Sequence, residues 1–132
     1  MFSEKDLQTL LDYSAESQVL SLYLNTDPTQ TNTEASKLRL RNWLKDIDLT
    51  EDVQAVEEFV NMEYDWSARG LVIFSDQDAG FFETFQFNLD VPDKVHVGSH
   101  PLLRPMVRIA DIFAGWSVVL VDKQGARIFS FD

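Results

Sequence analysis

Apolar residues recur at helical spacing through the first half of the chain and at strand spacing through most of the second. Leu7, Leu10 and Leu11 form one apolar stripe that predicts a helix to about Tyr13. Ser3 stands at its N-cap with Asp6 three residues on, and Phe2 and Leu7 have the spacing of a hydrophobic staple. Val19-Leu20-Ser21-Leu22-Tyr23-Leu24 is apolar at most positions and predicts a strand buried on both faces. Asp27-Pro28 ends it, and a polar, threonine-rich loop follows.

Thr31-Asn32-Thr33-Glu34 has the form of a capping box, with Thr31 at the N-cap and Glu34 at N3. The helix it opens should run to about Asp46 and bury Leu40, Trp43, Leu44 and Ile47. Thr50 then caps a third helix with Glu51 and Asp52 in its first turn. Its inward face is Val53, Val56, Phe59 and Val60, with Tyr64 beyond.

Beyond residue 69 the period changes to two. Gly70-Leu71-Val72-Ile73-Phe74 predicts an apolar strand, Asp76 to Gly80 a turn, and Phe81 to Phe87 a returning strand. A shorter strand spans Lys94 to Val97. Leu102, Leu103, Met106, Val107, Ile109 and Ala110 suggest a helix, with Pro105 tolerated in its first turn. Trp116 to Val121, a turn at Asp122 to Gly125, and Ala126 to Phe131 complete a final hairpin. The order α β α α β β β α β β predicts an α/β (α+β) fold, a mixed β-sheet covered by about four helices. Ending on a strand just after a hairpin turn suggests two units: a domain over residues 1–113, and residues 114–132 as the first hairpin of a truncated following domain.

At 132 residues the chain suits one main domain. Its net charge is −11, and the charge is uneven: residues 1–66 hold 14 acids and 5 bases, residues 67–132 hold 8 and 6. Such a balance argues against DNA, anionic membrane and non-specific nucleic-acid binding, and leaves room only for a local basic face. No apolar run approaches the roughly 20 residues of a membrane span. The acidic N-terminus lacks the basic region of a secretory signal, so the expected location is cytoplasmic. There is no cysteine, which excludes disulfides, thiolate clusters and cysteine nucleophiles.

Candidate chemistry is sparse. Lys37, Arg41 and Lys45, at i, i+4 and i+8 with Arg39 nearby, form a stripe suited to phosphates. The commoner meaning of such a stripe is a solvated face paired with Glu34 and Asp46. Arg104 and Arg108 are likewise one turn apart, able to bind phosphate or to pair with Asp111 and Asp93. Asp76-x-Asp78-x-Gly80 lacks the remaining ligands of a calcium loop, and Phe87 occupies the place of its closing Glu. His96 and His100 are the only histidines, with Asp93 the one acid close in sequence, so no metal or cofactor is expected. No Gly-x-Ser-x-Gly elbow or glycine-rich phosphate loop occurs, and no catalytic residue can be named. The phenylalanines at 74, 81, 82, 85 and 87 read as core rather than as base-stacking platforms.

Three segments carry a family likeness. VLSLYLNTDP resembles the opening strand and proline-bearing turn of the N-terminal domain of the archaeo-eukaryotic class-I peptide-chain release factors. ARGLVIFSDQDAGFFETFQFNLDVPDKVHVGSHPLLRPMV resembles the stretch from that domain's second strand to its fourth helix, and GWSVVLVDKQGARIFSFD the start of the middle domain. The likeness is greatest to bacterial relatives, which include a group similar to the Vms-type release factors. It implies a role in translation termination or ribosome rescue, with ribosome or tRNA as partner. Peptidyl-tRNA hydrolysis would reside in a Gly-Gly-Gln-type loop outside these residues. The resemblance does not extend to the codon-reading elements. The place of the Asn-Ile-Lys-Ser loop reads Lys45 to Glu51, short and acidic, and the Tyr-x-Cys-x-x-x-Phe motif has no counterpart.

The resulting expectation is a non-catalytic docking domain whose RNA-binding candidates are Lys37, Arg41, Lys45, Arg104 and Arg108. The alternative is an acidic protein-interaction module without RNA contact, presenting Glu51, Asp52, Glu57 and Glu58 to a basic partner. A small-molecule enzyme is a third possibility, with no nucleophile and base to support it.

Overall fold

Val19–Asn25 (β1) is apolar on both sides because both sides are covered. Leu20, Leu22 and Leu24 face one layer of helices, and Tyr23 faces another. The computed structural model describes residues 4–14, 16, 18–108, 117–120 and 126–130. Within it, β1 lies inside a four-stranded sheet of order β3-β2-β1-β4, with β2 at Gly70–Asp76, β3 at Phe81–Phe87 and β4 at Lys94–Gly98. The α/β class is as expected, but the sheet is antiparallel at each of its three pairings rather than mixed. The connection between β1 and β2 explains the sense. The helices Thr33–Leu44 (α2) and Thr50–Met62 (α3) run out and back, returning the chain to the end where β1 stopped. Asn25 therefore pairs with Gly70, and β2 must run the opposite way.

Period-two alternation sorts the strand residues into two cores. Leu20, Leu22, Leu24, Leu71 and Ile73 pack under α2 and α3, against Leu40, Leu44, Val56, Phe59 and Val60. Tyr23, Val72, Phe74, Phe85 and Phe87 face Leu7 and Leu10 of helix Glu4–Asp12 (α1). Met106 joins them from a helical turn at residues 104–108 (α4). Each fully buried side chain of this size contributes roughly 1.5–3 kcal/mol, so burial on both faces is the main source of stability. Ser117–Leu120 (β5) and Ala126–Ser130 (β6) pair antiparallel as a separate two-stranded sheet.

Helix ends depart from the expected pattern at three places. The N-cap of α2 is Asn32, whose Oδ1 accepts from the Ala35 amide at 2.8 Å, so Thr31 is displaced from that role. The helix ends at Leu44, and Trp43 and Ile47 are only partly buried against the core. Thr50 is the first residue of α3; Leu49 precedes it as cap and makes no side-chain cap hydrogen bond. Ser3 and Phe2 lie outside the described residues, as do Ile109 and Ala110. Between β2 and β3, a 3-10 turn at Gln77–Ala79 closes on Gly80, whose φ of 67° is the left-handed region that glycine adopts without strain.

Candidate functional site

Register across β1 and β4 selects which β4 side chains face the α1 layer. Tyr23 pairs with Lys94 and Ser21 with His96, so Lys94 and His96 share Tyr23's face. Val95 and Val97 turn to the opposite core. The chain after β4 is then held over the same face by two polar anchors. Ser21 Oγ accepts from the Leu102 amide at 2.9 Å, and Tyr23 Oη donates to the Leu102 carbonyl at 2.5 Å. Burial holds the Tyr23 phenol in its protonated form, its pKa raised well above the ordinary tyrosine value. Both anchors come from β1, so they fix where α4 begins.

These constraints leave a cleft of about 600 Å³ between the loop before β4, the start of β4 and α4. Among the described residues, Lys94, Arg104 and Arg108 line it, with Asp90 the acid on its wall. Leu89, Pro92, Leu102 and Pro105 supply the apolar part. Lys94, Arg104 and Arg108 are all exposed. None of the three makes an ion pair among the described residues.

The nearby acids are occupied from outside the cleft. Asp90 Oδ1 accepts from Arg69 Nη2 at 2.9 Å, and its Oδ2 from Gln30 Nε2 at 3.3 Å. Asp93 Oδ1 accepts from the Asn25 amide at 2.8 Å. Its Oδ2 faces Arg39 Nε at 3.4 Å, an ionic contact without hydrogen-bond geometry. Arg39 Nη2 donates to the Asn25 carbonyl at 2.9 Å. Arg69 also reaches buried Asp27 at 3.2 Å. Hydrogen bonds from the Thr29 amide and hydroxyl hold the Asp27 carboxyl below the usual carboxylate range, with Arg69 adding to the effect. Asp90, ahead of Asp27, holds the Arg69 pKa above its usual value. Two arginines thus compensate Asp90 and Asp93, and among the described residues neither acid pairs with a cleft cation.

The five cations singled out in the sequence separate into two groups. Arg104 and Arg108 come together in the cleft, on the α1 face of the sheet. Lys37 and Arg41 belong to α2 on the opposite face, where they line a groove of about 110 Å³ with Glu57 and Asn61 of α3. Lys37 Nζ sits 5.6 Å from the Trp66 ring centroid, a cation–π contact, and no pair with Glu34 occurs among the described residues. Lys45 is the C-cap of α2 and lies outside that groove. Asp93 engages Arg39 and not Arg104 or Arg108, and Asp111 lies outside the described residues.

Lys94 was not apparent as a site residue because its partners are distant in sequence. The available signal was the parity of the short strand, which puts Lys94 and His96 on one face. Deciding that this face meets Arg104 requires the pairing to β1.

The remaining polar clusters tie elements together. Asp52, buried in the first turn of α3, accepts from Ser75 Oγ and the Gln77 amide. Asp76 accepts from Tyr13 Oη at 2.6 Å. Asp76 is therefore buried and engaged, unlike an open calcium ligand. His100 Nδ1 meets Ser99 Oγ at 3.1 Å, and no group of three metal-binding side chains occurs among the described residues. Phe74, Phe85 and Phe87 are buried, Phe81 stacks on Tyr13 at 4.0 Å, and Phe82 meets Phe59 edge-on, in line with a core role. Among the described residues, no helix is long and apolar enough to cross a membrane. No protein-family model matches the chain, and no curated protein matches it.

Proposed function

We propose that this domain is a non-catalytic RNA-docking module, of the kind that precedes the hydrolytic domain of bacterial release-factor-like proteins. Lys94, Arg104 and Arg108 contact RNA phosphates on the ribosome or on tRNA. One observation carries the reading: on a chain of net charge −11, three cations gather round one cleft while the adjacent acids are held by Arg39 and Arg69. A cationic cleft on an otherwise acidic chain attracts RNA at one face and repels it from the acidic helices, so it orients as well as attracts. The release-factor part rests on the three sequence segments that resemble that family. In this reading, peptidyl-tRNA hydrolysis belongs to a further domain, and Lys37, Arg41 and Lys45 take no part in the contact.

Co-sedimentation with ribosomes across a salt series tests the proposal. The protein pellets at low salt and is released as salt rises; Arg104→Glu with Arg108→Glu abolishes pelleting, whereas Lys37→Glu with Arg41→Glu leaves it intact. Equal pelleting by both variants and the unaltered protein would remove the cleft from the interaction. Absence of pelleting at any salt would favour a protein partner for the acidic helices.

A further inference from the structure

The cleft is more than a basic patch, because its wall is half apolar. Backbone-tracking surfaces need only cations spaced along a strand. Here Leu89, Pro92, Leu102 and Pro105 stand beside the three cations, in a space of about 600 Å³. That volume lies within the range of small-ligand sites, roughly 300–1,000 Å³. Leu102 is pinned through its own backbone to Ser21 and Tyr23, so the backbone at this point of the wall is held before any ligand arrives.

We propose that the cleft seats one unstacked nucleotide, with its phosphoryl oxygens on Lys94, Arg104 and Arg108 and its base against the apolar wall. The inference rests on the RNA-docking reading and sharpens it to an unpaired nucleotide in a loop or at a strand end. A guanidinium offers two parallel donors to a phosphoryl group, and two arginines one helical turn apart can grip different oxygens of it. An apolar wall has no use for a phosphate alone but shields the face of a base. A base in a duplex keeps that face in the stack, so paired RNA cannot fill the site. Asp90 is the one acid on the wall among the described residues, and its bond to Arg69 offsets its charge beside the phosphoryl group. The same chemistry arises from a free mononucleotide or from a nucleotide within RNA, and the test separates the two.

Isothermal titration of the full chain with AMP, adenosine and inorganic phosphate provides the first arm. AMP binds about tenfold or more tighter than either fragment, as expected where base burial and phosphate contact add. Arg104→Glu with Arg108→Glu, both at exposed positions, removes AMP binding without altering circular dichroism. Pro92→Ser, also exposed, weakens AMP severalfold and leaves inorganic phosphate unchanged. The second arm titrates a short single-stranded RNA and its duplex; the single strand binds more tightly, and AMP competes with it. If single-stranded RNA binds through the cleft arginines but AMP binds no better than phosphate, the nucleotide seat is overturned and RNA docking stands. If neither RNA nor AMP binds, both readings fall. Binding of AMP without any binding of RNA would confine the site to free nucleotides and overturn the placement within RNA.

Discussion

Ser75 Oγ lies 2.5 Å from Asp52 Oδ1, so a hydroxyl near the end of β2 is fastened to a carboxylate in the first turn of α3. The next residue, Asp76, points to the other face and accepts from Tyr13 Oη just beyond α1. Two adjacent positions of one strand thereby clamp a helical element on each side of the sheet. Asp52 also takes the Gln77 amide at 2.9 Å, which fixes the turn into β3.

Removing the Asp52 carboxylate leaves the Ser75 hydroxyl and the Gln77 amide without an acceptor at a buried site. Asp52→Ala should cost about 2–3 kcal/mol of stability, the penalty for buried donors left unmade. Asp52→Asn keeps an acceptor oxygen and should lose less than half as much. Urea midpoints of the two variants check this, and equal losses would show that the hydrogen bonds are not what the carboxylate contributes.

The two candidate caps of α2 make different predictions. Asn32 Oδ1 accepts from the Ala35 amide, so Asn32→Ala should destabilise by about 1 kcal/mol. Thr31→Ala should stay within about 0.5 kcal/mol of the unaltered protein, as for a surface position without a special role. Thermal melts of the pair decide which residue caps the helix.

All three tyrosines are held protonated by the fold. Burial is the leading cause at Tyr13, Tyr23 and Tyr64, with Asp76 adding to it at Tyr13. A folded-state pKa above the unfolded value of about 10 means the contribution to stability is complete below that pH and is lost as pH rises past it. Phenolate absorbance should therefore not develop near pH ~10 while the fold persists, and should appear together with loss of circular dichroism. A phenolate step near the ordinary value in a still-folded protein would contradict the burial of Tyr23 and Tyr64 and the bond from Tyr13 to Asp76.

Local patterns made most of the elements legible. Alternation in Phe81–Phe87 sorts Phe85 and Phe87 to one core and Phe82 to the other, and the apolar run of β1 signals burial on both faces. Caps were harder to read, because Thr31 and Asn32 are both good cap residues and only the backbone path decides between them. Strand sense depended on two helices forming one out-and-back excursion, which no short window contains. The site was half legible. Arg104 and Arg108 follow from helical spacing, whereas Lys94 joins them only through its pairing with Tyr23. The compensation of Asp90 by Arg69 and of Asp93 by Arg39 links residues 21 and 54 positions apart, beyond any local signal.

The salt dependence of binding to a short single-stranded RNA tests the docking account most directly. Each phosphate contact on a single strand contributes about 0.7 to the slope of log Kobs against log salt. Lys94, Arg104 and Arg108 grip one phosphoryl group, so replacing them together by glutamine should lower the slope by about 0.7, alongside a loss of affinity. The same change at Lys37, Arg41 and Lys45 should leave the slope as it was. An unchanged slope in the cleft variant, or a loss confined to the α2 variant, would contradict the assignment of RNA contact to the cleft.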